Sequence, residues 1–328
     1  MSRRPFKEVA LPVLVIGVFI LVLPMFIPQY VSGLVTKMMY YGLFGLSLNI
    51  IWGYAGIPSF GHAAFYGVGA YTAGILALKT DIGNFWATLA LAMIATAVVA
   101  AILGIPAFRV FGVGAGATNP IYFLLATIAF GELLSRAAIA LRPVTGGSTG
   151  LAGIPQPDLG FGIRVDSGSY YYLVFVFLVV CAYLMYRIVN SHYGYALRGI
   201  HDNERRMQAL GYNTWLYKYT SWIIAAVFGG MAGVLFAYFG STMVPNTMAM
   251  ITSDIAFLLV IMGSATVFFG PIVASVVYVG VEYIASLYLP DRWPLIFGAM
   301  FVVTIMVIPE GLGVWIQKGW KKVLRGAP

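Results

Sequence analysis

Charged side chains are scarce in this sequence. They make up 9% of its 328 residues, whereas ordinary soluble chains carry about 25%. Hydrophobic residues account for 61%, and the mean hydropathy is +0.90. A chain with so few charges cannot bury this much apolar surface in a water-soluble fold. The composition therefore excludes a soluble enzyme or binding module and predicts a membrane protein.

Cysteine and histidine are also rare. The one cysteine, Cys181, lies in an apolar run, which excludes a disulfide framework and a cysteine metal site. The three histidines, His62, His192 and His201, do not have the spacing of metal ligands. No HExxH, GxGxxG or Ser-His-acid pattern is present. The sequence therefore predicts no catalytic residues, no cofactor and no metal.

Long apolar segments are abundant instead. A helix needs roughly 20 residues to cross a bilayer, and ten segments approach or reach that length. They are residues 9–27, 34–52, 60–78, 84–108, 120–141, 170–187, 219–240, 255–269, 271–289 and 293–308. The pattern predicts an all-α, polytopic transmembrane helical bundle of about ten spans, one domain over residues 1–328. No small-residue cleavage site follows the basic start MSRRPFK, so we interpret 9–27 as an uncleaved span.

The positions of the basic residues that give the net charge of +8 follow the predicted membrane topology and do not indicate a nucleic-acid-binding surface. With the N-terminus in the cytoplasm, thirteen of the 19 basic residues fall at cytoplasmic ends and loops, four on the far side and two in or near spans. This asymmetry is that of the positive-inside rule. Both termini and the segment 191–218 are therefore predicted to be cytoplasmic, with the lipid bilayer and no nucleic acid as partner. The longest external segment, 142–169, is a natural surface for an external partner.

Residues 191–218 form a polar segment, here called the cytoplasmic island. Its charged residues are Arg198, Asp202, Glu204, Arg205, Arg206 and Lys218. Apolar residues recur within it at spacings of three and four, which predicts one or two short amphipathic helices. Gly211 predicts a helix end. Such a segment either docks at the membrane surface or on a partner, or is an ordinary solvated loop.

Two glycine- and proline-interrupted stretches lie between apolar segments, at 53–65 (GYAGIPSFGHAAF) and at 262–271 (MGSATVFFGP). Irregular backbone at membrane depth is tolerated only against protein or a wet cavity, and paired interruptions point to a transport site in carriers. A plain tight turn is the alternative. The polar residues that we assign to a candidate solute pathway are Asn49, Ser59, His62, Tyr71, Glu132 and Glu282.

Two acids in this set lie inside predicted spans, where ionisable groups are costly. Glu132 and Arg136 are four residues apart on one helix face, so they either line the solute route or form an intrahelical ion pair. Glu282 is interpreted as a lone buried acid, either functional or hydrogen-bonded and structural.

Small residues recur with the spacing 4, 3, 4 in the third and the seventh spans. They are Ala63, Gly67, Ala70 and Gly74, and Ala226, Gly230, Gly233 and Ala237. Small residues at this spacing let helices approach closely in lipid. The repeat also suggests a weak internal duplication.

Several blocks of the sequence resemble one known family. They are LSLNIIWGYAGIPSFGHAAFYGVGAY (46–71), LLATIAFGELL (124–134), VTGGSTGLAGIPQP (144–157), ALRGIHDNERRMQALGYNTWLYK (196–218) and PEGL (309–312). In this order they resemble the LivM-type membrane subunits of ABC importers for branched-chain amino acids. The similarity covers nearly the whole chain.

The resemblance implies a permease subunit in a bacterial plasma (inner) membrane. It implies as partners a second homologous permease subunit, two cytoplasmic ATP-binding subunits and an extracytoplasmic solute-binding protein. ATP would be hydrolysed on the partners, so this chain would not be an enzyme. The cytoplasmic island would be the ATPase-coupling loop, with Glu204 and Gly211 at the positions of the importer loop signature.

Two stretches depart from the family pattern. MGSATVFFGP stands where a GGxGT-like run is usual, and GVGAGATNP (112–120) is longer than the usual loop. The first departure leaves a urea or short-amide importer as an alternative. A self-sufficient secondary carrier, with Glu132 and Glu282 as ion-coupling groups, is the alternative from another class.

Overall fold

The computed structural model describes residues 23–80, 84–109, 120–160, 165–288, 292–307 and 310–324. The first predicted span, 9–27, lies outside these residues except for its end, where Leu23–Met25 form a 3-10 turn.

The described residues are almost entirely helical. The α-helices are α1 (Gln29–Asn49), α2 (His62–Lys79), α3 (Phe85–Arg109), α4 (Pro120–Ala140), α5 (Arg142–Thr145), α6 (Ser167–Val189), α7 (His192–Asp202), α8 (Glu204–Ala209), α9 (Thr214–Gly240), α10 (Met250–Gly263), α11 (Gly270–Tyr288), α12 (Trp293–Val307) and α13 (Leu312–Leu324). Two short strands, β1 (Leu151–Ala152) and β2 (Thr242–Met243), pair antiparallel with Leu151 opposite Met243. This pair ties the segment 142–169 to the chain that follows α9.

Six described helices are long and apolar enough to cross a membrane. They are Gln29–Tyr54, Phe85–Arg109, Ile121–Ala140, Gly168–Val189, Thr214–Gly240 and Gly270–Tyr288. A seventh span results if the bent pair Leu295–Val307 and Leu312–Lys318 is counted as one. The all-α polytopic bundle is therefore confirmed, while the total of ten spans and the orientation of the termini stay predictions.

Three of the predicted spans correspond to helices of 18 residues or fewer. The segment 60–78 is α2, with 18 residues, 255–269 is α10, with 14, and 293–308 is α12, with 15. The prediction for α10 was wrong at both ends, because the helix begins at Met250 and stops at Gly263. It stops there because Ser264 has a φ of +77°, a left-handed conformation that cannot continue an α-helix.

The centre of the bundle is the contact of α9 with α2. A Cβ on Gly69 would lie 2.1 Å from the carbonyl oxygen of Gly230, and one on Gly233 would lie 1.9 Å from that of Tyr66. The two backbones therefore touch without intervening side chains, as small residues permit. The predicted small-residue faces meet only in part, because Gly67 faces Met248 and Gly74 faces the outer segment at Leu151.

The remaining small residues of these faces, Ala63, Ala70, Ala226 and Ala237, are all fully buried. The closest contact of α2 with α9 is made by Gly69, which the spacing pattern did not include. The pattern found the two helices that approach each other but not every position of contact.

The first interrupted stretch is an irregular segment deep inside the protein. The helix α1 continues as one π-helical turn, Ile50–Tyr54, and the chain then reverses at Gly56, whose φ is +73°. It returns in non-helical form to His62, the first residue of α2. His62 lies against Gly229, and Gly229 is 15 residues along α9 from Thr214, or about 22 Å at 1.5 Å per residue. The helix α2 therefore begins near the middle of the bundle.

The helix α10 begins at a similar depth. The backbone N–H of Ala63, in the first turn of α2, donates to the Ser253 hydroxyl of α10 over 2.9 Å. The N–H of Phe60 donates to Thr127 of α4 over 3.2 Å. The backbone groups freed by the interruption are thus satisfied by protein, as an irregular segment at membrane depth requires.

Candidate functional site: the cytoplasmic island and the buried polar groups

The cytoplasmic island folds into two helices, α7 and α8, and not into an open loop. The Asn203 side chain caps α8 by accepting from the N–H of Arg206 over 2.9 Å. Gly211, with a φ of +87°, follows the last turn of α8 and stops it. Asn213 then caps α9 by accepting from the N–H of Leu216 over 3.2 Å. The predicted short helices and the break at Gly211 are both present.

The helix α7 is fixed to the bundle along its apolar face. Leu197 and Ile200 are fully buried on this face. The Tyr193 hydroxyl donates to the carbonyl oxygen of Tyr217 in α9 over 3.0 Å. Burial raises the pKa of Tyr193 to about 12, so the phenol keeps its proton and remains a donor at neutral pH. This helix therefore moves with α9.

Arg198 is turned inward and does not face the cytoplasm. Its guanidinium carbon lies 4.9 Å from the centroid of the Tyr54 ring and 5.4 Å from that of Tyr195. One of its nitrogens also donates to the carbonyl oxygen of Val189 over 3.4 Å. These contacts join α7 to the π-helical turn at the end of α1, with cation–π attraction between the groups. Arg198 is thus an internal contact of the protein.

His201, at the end of α7, lies against the reversal of the chain at Gly56. A Cβ on Gly56 would lie 2.5 Å from Cδ2 of the His201 ring. Only glycine fits here, both for space and for the positive φ. The cytoplasmic island therefore touches the interrupted stretch at two points, Tyr54 and Gly56.

Glu204, the first residue of α8, is held by Lys218 of α9. The distance from Oε2 of Glu204 to Nζ of Lys218 is 2.6 Å. The side chain of Lys218 is 4% exposed and that of Glu204 is 28% exposed. The pair fixes the start of α8 to the start of α9, so Glu204 is engaged within the chain.

The exposed face of the cytoplasmic island is formed by other residues. Asp202, Arg205, Arg206 and Gly211 are exposed, and the first three form no salt bridge within the described part of the chain. Leu210 beside them is 67% exposed. These residues form an exposed patch with both charge signs and an uncovered leucine, on helices that are anchored to the bundle on their other side. We call it the α8 face.

The predicted pathway residues in the first interrupted stretch are buried within the chain. Nε2 of His62 and the Ser47 hydroxyl are 2.8 Å apart, and the His62 ring stacks on Phe44. The side chains of Asn49 and Ser59 are fully buried and have no hydrogen-bond partner among the described residues. The Tyr71 hydroxyl, nine residues further along α2 than His62, has none there either. Asn49, Ser59 and His62 therefore lie in or next to the interrupted stretch, and Tyr71 lies apart from them.

Glu132 and Arg136 form the predicted intrahelical pair on α4. The distance between Arg136 Nε and Glu132 Oε2 is 3.9 Å, with side-chain exposures of 78% for Arg136 and 44% for Glu132. The pair lies on an outward face of the helix and away from the buried polar groups. This geometry fits the interpretation of Glu132 and Arg136 as an intrahelical ion pair.

The expectation that Glu282 is a lone acid was wrong. Its Oε1 lies 2.7 Å from Nζ of Lys37, on α1. The ammonium group also lies 5.8 Å from the centroid of the Tyr41 ring. The pairing joins α11 to α1 across 245 residues of sequence, a separation that no local pattern reveals.

Two further features were missed from the sequence. Asp254 on α10 is half-buried, and its Oδ1 has no hydrogen-bond partner in the described ranges. Toward the strand pair lies an open cleft of about 250 Å³. The cleft is lined by Gln29, Gly33, Thr36, Gln156, Pro157, Tyr170, Tyr238, Phe239 and Ser241. Within the described residues, no group of three or more His, Cys, Asp or Glu side chains could hold a metal ion.

The helices and the buried irregular stretch define a multi-pass α-helical membrane protein. Comparison with known proteins identifies the family. The family model described as "Branched-chain amino acid transport system / permease component" matches residues 30–305. The chain belongs to this family, and it is a multi-pass permease component of the inner membrane.

The relatives extend over most of the chain. The LivM high-affinity branched-chain amino acid transport permease of Salmonella typhimurium is 28% identical over 300 residues, covering 84% of this chain and 68% of the relative. That of Escherichia coli is 27% identical over 312 residues, covering 88% and 71%. A Methanocaldococcus jannaschii protein named "Probable branched-chain amino acid transport permease protein LivM" is 26% identical and covered over 91% of its length. No solved structure matches the chain.

Proposed function

We propose that this chain is a membrane-spanning subunit of an ABC importer that moves branched-chain, hydrophobic amino acids into the cell. Membership of the permease family and the names of its relatives support the solute class. The observation that carries the proposal is the α8 face, an exposed docking surface on two short helices that are anchored to the bundle. A self-sufficient secondary carrier, driven by an ion gradient through its own bundle, would not need a docking surface for an ATPase.

The partners proposed are two cytoplasmic ATP-binding subunits, a second related permease subunit and an extracytoplasmic solute-binding protein. The α8 face would receive an ATPase subunit, with Arg205, Arg206 and Asp202 supplying charge and Leu210 supplying apolar contact. The strand pair and the adjoining cleft would face the binding protein. ATP hydrolysis would reside on the partners and not on this chain.

Two routes lead from the α8 face into the bundle. The Glu204–Lys218 pair joins α8 to α9, and α9 is packed backbone to backbone on α2. On the other route, Arg198 and His201 of α7 touch the turn that leads back to the buried polar groups. Movement of the island as a rigid body would therefore displace both borders of the interrupted stretch. We infer that motion of the ATPase subunits reaches the solute route through these two sets of contacts.

The cleft is proposed as the entry for solute arriving from outside. Its volume of about 250 Å³ is slightly below the roughly 300–1,000 Å³ of sites for drug-sized ligands, which suits a small solute. Its wall combines amide side chains, Gln29 and Gln156, with aromatic rings, Tyr170 and Phe239. Such a lining can hydrogen-bond the polar end of an amino acid and contact its apolar side chain.

The test is uptake by the reconstituted complex. The chain would be co-expressed with the proteins that copurify with it and placed in liposomes with ATP inside and labelled leucine, urea or acetamide outside. The proposal predicts ATP-dependent leucine uptake. Uptake of urea or acetamide in place of leucine would establish the amide-importer alternative. Leucine uptake by the chain alone, driven by a proton or sodium gradient, would contradict the importer proposal.

A further inference from the structure

The last described helix, α13, has two opposed faces. Apolar residues repeat at spacings of three and four, and basic residues repeat with the same spacing on the other side. The apolar stripe consists of Leu312, Trp315, Ile316, Trp320, Val323 and Leu324. The basic stripe consists of Lys318, Lys321 and Lys322, which Arg325 continues in the sequence. This pattern is that of an interfacial amphipathic helix.

The start of α13 is packed on the bundle. A Cβ on Gly313 would lie 2.4 Å from the carbonyl oxygen of Gly263, and one on Gly311 would lie 2.6 Å from Ser264. The start is thereby fixed beside the turn that follows α10. One turn later the apolar stripe is no longer covered by the bundle, since Trp315 is 73% exposed and Ile316 is 50% exposed. The bundle thus leaves these two side chains uncovered.

The charge of the helix indicates what covers them. Four of the eight residues 318–325 are basic and none is acidic; Lys318 pairs with the exposed Glu310. The segment Leu312–Lys318 is bent by 43° from Leu295–Val307, so α13 does not continue the axis of α12. Tryptophans beside lysines are typical of the membrane–water interface, and clusters of basic residues next to a span attract anionic lipids.

We propose that α13 lies in the membrane interface and binds anionic phospholipid headgroups, with Trp315 and Ile316 inserted at the acyl boundary and Lys321 and Lys322 on the phosphates. The bilayer is the occupant that fits both stripes at once, because it offers apolar and anionic surface side by side. A protein partner such as an ATPase subunit is the other occupant that the experiment distinguishes. The inference does not depend on which solute is carried.

The test uses an environment-sensitive fluorophore on a single introduced cysteine. The full chain would carry Trp315→Cys or, as matched control on the polar side, Gln317→Cys; the native Cys181 is buried and does not need removal. Each labelled protein would be placed in nanodiscs of phosphatidylcholine with or without phosphatidylglycerol. We expect a blue-shifted probe, quenched by brominated lipid, at position 315 and a water-exposed probe at position 317.

The headgroup preference is tested with Lys321→Gln and Lys322→Gln together. Each neutralised lysine should weaken enrichment of phosphatidylglycerol around the protein by about five-fold, measured by mass spectrometry of copurified lipid. Lys79→Gln, an exposed lysine at the other end of the bundle, should leave enrichment unchanged. A probe at position 315 that stays in water in both nanodiscs would overturn the proposal. So would one that becomes buried only when ATPase subunits are added.

Discussion

Glu204 and Lys218 form an ion pair of 2.6 Å that fixes the first turn of α8 to α9. The lysine is almost completely buried, whereas the Glu204 side chain is 28% exposed. The Oε1 atom of Glu204 is buried and has no hydrogen-bond partner among the described residues. This acid therefore secures α8 to the bundle. The outward charges are those of Asp202, Arg205 and Arg206.

Replacing Glu204 by Gln would leave a buried ammonium group without its counter-charge. We expect a loss of about 1–3 kcal/mol in stability, below the range for fully buried pairs because Glu204 is partly solvated. Thermal unfolding in detergent measures this loss. The double variant Glu204→Gln with Lys218→Met removes both charges and should recover much of it. Equal stability of the single variant and the wild type would show that the pair does not fix α8.

The contact of Arg198 with Tyr54 is expected to transmit motion and contribute little to stability. A cation–π contact contributes about 0.5–2 kcal/mol, and the ring of Tyr54 is buried, so Tyr54→Leu should fold with a moderate loss that includes the lost packing. In the reconstituted complex, we expect ATP hydrolysis to continue while uptake falls several-fold. Tyr195→Leu, which removes the other ring near Arg198, serves as the control and should retain uptake. An unchanged ratio of uptake to hydrolysis in Tyr54→Leu would rule out this route.

Replacing Gly230 by Leu should destabilise the bundle. A Cβ at this position would lie 2.5 Å from Oγ1 of Thr96, and the carbonyl group of Gly230 touches α2 at Gly69. Overpacking of this kind costs about 1–3 kcal/mol or more. Gly280→Leu on α11 is the matched control, because a Cβ there meets nothing within 4 Å. The predicted order of melting temperature is wild type, then Gly280→Leu, with Gly230→Leu lowest; a reversed order of the two variants would contradict the packing.

The Lys37–Glu282 pair is expected to be structural. Glu282→Gln should lower the melting temperature, and the exchange Lys37→Glu with Glu282→Lys should restore part of it. Neither variant should make uptake dependent on a proton or sodium gradient. Uptake that is gradient-driven in the wild type and lost in Glu282→Gln would instead identify Glu282 as the coupling group of a secondary carrier.

The sequence predicts local structure well in this protein because its signals are local. The periodicity in 191–218 predicts one or two short helices, and Gly211 predicts a helix end, since both depend on neighbouring residues only. The same holds for Glu132 and Arg136, whose pairing follows from a spacing of four.

Partners distant in sequence could not be predicted in this way. The pairs of Lys37 with Glu282 and of Arg198 with Tyr54 join segments that no periodicity connects. The sequence therefore does not distinguish Arg198 and Glu204, which contact the protein itself, from the exposed charges of the island. The early stop of α10 depends on the positive φ of Ser264. Serine does not favour this conformation by itself, and here Ser264 packs against Gly311.

Docking of ATPase subunits on the α8 face is tested most directly by copurification. The chain would be isolated from membranes in the wild-type form, as Arg205→Glu with Arg206→Glu, and as Arg142→Glu, a control at an exposed residue of α5. The wild type and the control should retain an ATPase pair and a second permease subunit, whereas the double reversal should lose the ATPase pair and keep its own melting temperature. Equal recovery of ATPase subunits with all three proteins would contradict the assignment of the α8 face.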